Sequence, residues 1–173
     1  MAGLGGAGLM SGTSLELLQT MPIFGAINDD TLNFLLERTK EVRVEKDDYF
    51  FRENDQGSSM FVLEQGRVAV LKSWVQQTQG LAFLNRGDCF GEMALIEMGA
   101  RSASVQATEA CEAIEVPIDI LHELYQHDLE QFTIIQMNMS REVCRRLRKA
   151  DDLLFQVRMQ TSTQDPNYRY YSG

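Results

Sequence analysis

Glu92, Arg101 and Ser102 are the residues of this 173-residue chain whose types and spacing point to chemistry. They lie in the stretch GDCFGEMALIEMGARSASV, residues 87–105. Within it FGEMALI sets a glycine and an acid ahead of four helix-tolerant residues, between strand-like runs, which predicts one short helical turn let into a β structure. Such a turn begins with unpaired amides; amides at a helix N-terminus attract anions, and a glycine lets a ligand approach the backbone. Nine residues past Glu92, Arg101 brings a planar fork and Ser102 a hydroxyl, a set suited to a pair of phosphate oxygens. Glu92 would repel that phosphate unless it faces neutral hydroxyls, and a carboxylate accepts hydrogen bonds from the hydroxyls of a ribose. Sugar beside phosphate means a nucleotide.

The elements that must position these groups are legible on both sides. The first dozen residues hold five glycines and no charge, which predicts a flexible leader over 1–13. LELLQTMPIF and TLNFLLERTK then read as two short helices, the second capped from Asn28, Asp29 and Asp30. From Glu41 to Val116 the pattern turns to brief runs, VRV, YFF, MFVLE, RVAVLK and LAFL, separated by KDD, ENDQGSS, EQGR, QQTQG, NRGD and MGA. Antiparallel strands at a spacing of about ten residues predict a β jelly roll over about 40–117, flanked by helices. After Pro117 helical periodicity returns in IDILHELYQ and then in a run from Leu129 to about Met159, with a flexible tail expected over 160–173. On the long helix Phe132, Ile135, Met139, Val143, Leu147, Leu154 and Val157 form an apolar stripe. A helix of ~30 residues spans ~45 Å, more than a small barrel needs, so its far half is available to a second copy. The other reading lays the whole stripe on its own barrel.

Composition excludes several alternatives. A net charge of −9 disfavours a phosphate backbone as partner, and the basic run REVCRRLRK (141–149) is expected to pair with acidic neighbours instead of DNA. Only about fifteen residues follow Val157, too few for a DNA-reading module. No run approaches the ~18 apolar residues of a membrane helix, so the default location is cytoplasmic. Cys89, Cys111 and Cys144 are an odd number without CxxC spacing, which suits reduced, buried thiols. His122 and His127 are poorly spaced for a metal, the methionines (Met93, Met98, Met137 and Met139 among them) read as core filling, and Trp74 falls at a hairpin end. No catalytic arrangement emerges, so the chain reads as a sensor and not an enzyme.

The stretch from Gly87 to Val105 resembles the phosphate-binding cassette of cyclic nucleotide-binding domains: FGE, an apolar-Ala-Leu turn, then Arg, a small residue, Ala and Val. MFVLEQGRVAVL and LNRGDCFGE resemble the glycine-punctuated strands of that family, found in catabolite activators and in cyclic-nucleotide-dependent kinases and channels, and the domain would run over 14–159. The resemblance implies that Glu92 takes the ribose 2′-OH, Arg101 the cyclic phosphate, and the amides of Ala94 and Ser102 the remaining phosphate oxygens. Gly91 would admit the sugar, with Phe90, Met93 and Ala103 completing the set. Two positions depart from the family: Ala100 replaces a proline, loosening the loop, and Asn54 replaces a glycine, with a side chain that tolerates a left-handed backbone. A residue of the last helix commonly covers the base, and here the candidates are Asp151 and Asp152. Their carboxylates favour the paired donors of guanine, whereas the order Arg101-Ser102-Ala103 resembles that of cyclic-AMP-dependent activators. Cyclic AMP is therefore expected first and cyclic GMP second, with no other cofactor, an unidentified protein effector, and a homodimer through the last helix. The rival readings are a nucleotide-free interaction domain on the same fold and a regulatory fragment of a larger channel, kinase or signalling enzyme.

Overall fold

The computed structural model describes residues 12–75 and 77–162. These form eight strands, β1 (Lys40–Val44), β2 (Tyr49–Phe51), β3 (Ser59–Gln65), β4 (Val68–Trp74), β5 (Gln77–Leu84), β6 (Cys89–Phe90), β7 (Ser104–Ala107) and β8 (Cys111–Pro117). The helices are α1 (Gly12–Thr20), α2 (Asp29–Leu36), α3 (Glu92–Glu97), α4 (Ile118–His127) and α5 (Leu129–Ser162). Two four-stranded sheets, β1-β8-β3-β6 and β2-β7-β4-β5, pair antiparallel throughout, the arrangement of a jelly roll. The expected leader falls outside the described residues except at its end, where α1 begins at Gly12; α5 runs three residues past Met159, and 163–173 lie outside.

The run MFVL is apolar at every position because β3 is covered on both faces. Phe61 and Leu63 point between the sheets, where they meet Phe90, Val105, Ala107 and Ala113. Met60 and Val62 point the other way, into a second core under the helices that includes Leu35, Ile114, Leu124, Ile135 and Met139. One strand therefore ties the barrel to the helices. A period-2 strand can do this only when neither face is polar.

The outer hairpin follows another rule. QQTQG, expected as a break, is largely strand: β5 starts at Gln77, which pairs with Trp74 across the turn. Both faces of this segment meet solvent, so glutamine and threonine replace the usual alternation. Trp74 stands at the end of β4, exposed, where a hairpin end was expected.

α2 begins as predicted, with the side chain of Asn28 accepting from the Thr31 amide at 2.8 Å. The first part of α5 is bolted to the N-terminal elements. Gln131 accepts from the Asn28 amide at 2.9 Å, and Asn138 donates to the carbonyls of Gly25 at 2.8 Å and Ile23 at 3.2 Å. Ile135 and Met139 are fully buried, whereas Leu147 is 59% and Leu154 50% exposed. The apolar stripe thus splits, its first half on its own barrel and its second half facing solvent. Met98 and Met137 are exposed, against the core-filling expected of them, and Cys144 is an exposed thiol where a buried one was expected. Met137 and Cys144 fall on the outward face of α5, whereas Met98 follows α3 in a left-handed conformation and is exposed.

Candidate functional site

β6 delivers the chain to Gly91, which adopts φ +82° and opens α3. A side chain there would be strained and would also meet Arg101 Nη1 at 2.6 Å, so glycine is required twice over. Phe90 and Ala94, on either side, are buried and anchor the turn in the cores. Gly57 matters likewise: a Cβ at that position would fall 2.2 Å from the Ala94 methyl.

Two charged side chains flank Gly91. Arg101 is 4% exposed; its Nη1 donates to the carbonyls of Ser59 at 2.6 Å and Gly91 at 3.0 Å, and Nη2 contacts the Ser59 hydroxyl at 3.3 Å. Its guanidinium carbon lies 4.1 Å from the centre of the Phe51 ring, a cation–π contact. Arg101 Nε has no hydrogen-bond partner, the one such buried side-chain atom among the described residues. Burial pulls the guanidinium below its ordinary range, opposed by Glu115, Asp55 and Glu92. An arginine held there keeps an unused donor and an unspent charge, the condition for taking up an anion.

Glu92 is 1% exposed. Burial raises its carboxyl above the usual range, and the charge of Arg146 works against the rise. Arg146 comes from α5 and donates Nη1 to Glu92 Oε1 at 2.8 Å, Nε to Glu142 Oε1 at 3.0 Å and Nη2 to the Cys89 carbonyl at 2.6 Å. Beneath them burial pushes the Cys89 thiol up to about 12.

The loop carrying Arg101 is held by the backbone. Its amide donates to the Asp55 carbonyl at 2.8 Å, its carbonyl accepts from the Asn54 amide at 2.9 Å, and Ala100 bridges to Gln56. These bonds tie the Arg101 loop to residues 54–56. Asn54 adopts φ +71°, the left-handed conformation anticipated for it.

Other expected positions fall as follows. Met93 is half-buried and its sulfur lies 3.6 Å from the exposed Ser102 hydroxyl, while Ala103 is buried behind them. The Ser102 carbonyl accepts from Lys72 Nζ at 2.7 Å, and Lys72 pairs with Glu53 at 2.6 Å. Asp151 and Asp152 are exposed on α5, and among the described residues no hydrogen bond or ion pair joins them to the cassette. Ser59, Phe51 and Arg146 were not foreseen. Ser59 and Phe51 sit in strands with no signal beyond their periodicity, and Arg146 was hidden in a basic run read as surface. That run does pair with acids: Arg145 and Arg146 both bind Glu142. No cluster of possible metal ligands occurs among the described residues, and His122 instead contacts Gln126.

The jelly roll thus buries an arginine and a glutamate around a left-handed glycine. The model of the cyclic nucleotide-binding domain matches residues 41–128, half of the chain, and the chain belongs to that family. It is 35% identical over 107 residues to human cGMP-dependent protein kinase 2, covering 59% of this chain and 13% of the kinase. It is 27% identical over 158 residues to the rabbit (Oryctolagus cuniculus) potassium/sodium hyperpolarization-activated cyclic nucleotide-gated channel 4, covering 89% of this chain and 13% of the channel. Among solved structures, a cyclic nucleotide-binding domain from Methylobacillus flagellatus shares the fold at TM-score 0.74 and 22% identity, over 83% of this chain and 81% of that one. The Thermus thermophilus catabolite activator protein matches at TM-score 0.69 and 26% identity, over 79% and 62%. The chain spans 9–13% of the length of the first curated relatives it matches. Among the described residues no helix is long and apolar enough to cross a membrane.

Proposed function

We propose that this domain is a non-catalytic allosteric sensor of a cyclic nucleoside monophosphate, cyclic AMP in first place and cyclic GMP in second. The observation that carries the reading is the pair of buried, oppositely charged groups around Gly91, with Arg101 Nε still without a partner. In this reading Arg101 takes the cyclic phosphate, Glu92 accepts from the ribose 2′-OH, and the amides of Ala94 and Ser102 complete the phosphate shell. Ligand uptake favours one arrangement of the cassette and of α5, and that population shift is the signal.

The exposed stripe of α5 gives the signal an outlet. Val143, Leu147, Ala150, Leu154 and Val157 recur at alternating steps of four and three, the spacing of a coiled-coil seam, so a second copy is its occupant in our reading. Three free thiols fit a reducing compartment and support a cytoplasmic location. A protein effector, not DNA, completes the pathway.

Cyclic GMP is kept as the second ligand because of the 35% identity to cGMP-dependent kinases and the carboxylates of Asp151 and Asp152. Parallel calorimetric titrations with both nucleotides rank them. The proposal expects cyclic AMP to bind more tightly; a tenfold preference for cyclic GMP, about 1.4 kcal/mol, reverses the order.

A further inference from the structure

Lys72 ends a row of side chains that leads out of the core. Val68, Val70 and Lys72 share one face of β4: Val68 is fully buried between the sheets, Val70 packs at the edge of that cluster, and Lys72 reaches the surface at the cassette. There its Nζ donates to the Ser102 carbonyl at 2.7 Å and pairs with Glu53 Oε1 at 2.6 Å. Glu53, in the loop after β2, donates its amide to the Ser104 hydroxyl at 2.9 Å and accepts from the Ser73 amide on Oε2 at 3.1 Å. The hydrogen bond from Lys72 holds the Glu53 carboxyl below its usual range, so both partners are ionised at neutral pH.

Two consecutive carbonyls of the loop are held from outside. The Asn54 amide takes that of Arg101 at 2.9 Å, and Lys72 takes that of Ser102. In a planar trans peptide the N–H points away from the C=O. The amides of Ser102 and Ala103 are therefore turned away from Asn54 and Lys72, and among the described residues no hydrogen bond uses either. Arg101 brings one positive charge to this loop; the ammonium against Ser102 brings another, which Glu53 offsets.

We infer that Lys72 is a positioning residue of the anion site and that Glu53 tunes its charge: the lysine fixes the peptide that follows Ser102 and attracts the phosphate, and the glutamate opposes that attraction. The two contributions are separable, because the peptide is held by a hydrogen bond whereas the phosphate is felt through space. Neutralising Glu53 leaves Lys72 on the Ser102 carbonyl and unmasks its charge. Removing Lys72 frees that carbonyl and leaves Glu53 to repel an anion. The pair thus holds the affinity of the cassette below what Arg101 and Lys72 would give together.

The inference rests on the proposed cyclic nucleotide, and the test separates the two. Calorimetry with cyclic AMP compares wild type, Lys72→Met, Lys72→Arg and Glu53→Gln, with thermal melts to verify the fold. Lys72→Met should weaken binding by about threefold or more, the scale of one unit charge acting through partly screened surroundings. Lys72→Arg, which keeps the charge and a donor for the Ser102 carbonyl, should restore most of the affinity. Glu53→Gln should tighten cyclic AMP by about twofold to threefold, a gain that shrinks in ~0.5 M salt. A pair that only braces the loop loses affinity when either member is changed, so the sign of the Glu53→Gln effect decides even where Lys72→Met fails to fold. Weaker or unchanged binding in folded Glu53→Gln, or wild-type affinity in folded Lys72→Met, overturns the inference while leaving the nucleotide site standing. Absence of cyclic nucleotide binding by folded wild type ends both readings.

Discussion

Arg101 and Ser59, forty-two residues apart, are joined by a 2.6 Å hydrogen bond from the guanidinium to the serine carbonyl. The bond turns the arginine inward across the mouth of the cassette and ties the loop before β7 to the start of β3. Ser59 also opens the strand that faces both cores, so the cassette and the interior share one residue.

For that reason Arg101→Ala is expected to do two things. It should weaken cyclic nucleotide binding by one to two decades, the ~1.5–3 kcal/mol of a charged hydrogen bond. It should also lower the melting temperature, because the carbonyls of Ser59 and Gly91 lose their donor. Nothing in the sequence reveals that the arginine is buried. Arg101→Lys should retain part of the binding, and a titration of both variants alongside wild type checks the order.

Glu92→Gln should weaken the natural ligand more than its 2′-deoxy analogue, because an amide is a poorer acceptor for the hydroxyl than a carboxylate. Competition binding with the two nucleotides measures it. Equal losses for both would make Glu92 a structural residue.

The two carboxyls around Arg146 titrate in opposite senses. Burial opposes ionisation of Glu142, yet the hydrogen bonds and charges of Arg145 and Arg146 outweigh it and hold its pKa below the ordinary range. A depressed carboxyl contributes stability that is present above its unfolded pKa of about 4.3 and is lost as pH falls through the native value. Glu142→Gln should therefore be less stable than wild type at pH 7 and converge with it on acidification. Glu92, raised by burial, has the opposite sign: its ionised form costs stability, and acid relieves that cost. Urea unfolding of the Glu142 variant across pH 3–7 tests the first claim; a constant gap would contradict it.

A charge on the exposed seam should abolish self-association without harming the barrel. Leu147→Glu and Leu154→Glu are the appropriate variants, because Met139, an attractive position in the sequence, is fully buried in its own domain and a charge there would unfold it. Sedimentation equilibrium decides, and a monomeric wild type removes the dimer.

Thiol chemistry offers an independent reading of burial. Cys144 is exposed while Cys89 and Cys111 are buried, with burial raising both buried thiols. A disulfide reagent at pH 8 should modify one cysteine rapidly in the native protein and the others only on unfolding.

What could be read in the sequence was whatever obeys a local rule. The strands, the Asn28 cap and the Gly91 turn follow from residue type and spacing, the left-handed Asn54 was implied by the family resemblance, and the jelly roll follows from the order of the strands. The QQTQG segment was misread because polar residues signal a turn only where a strand has a buried face to keep. Arg146 was missed because its partner lies 54 residues away, and nothing in a helical run of basic residues distinguishes the one that reaches a buried carboxylate from those in water. The same distance hid the inward course of Arg101. Pair contacts between remote segments belong to the tertiary fold, and local periodicity carries no record of them.

The most direct test of the central claim is calorimetric titration of the folded wild-type chain with cyclic AMP, beside 5′-AMP as an uncyclised control. The account predicts saturable binding of one cyclic nucleotide per chain, with 5′-AMP at least tenfold weaker because its dianionic, freely rotating phosphate does not match a cassette shaped for a cyclic monoanion. No heat with cyclic AMP or cyclic GMP would contradict it, as would equal affinity for 5′-AMP.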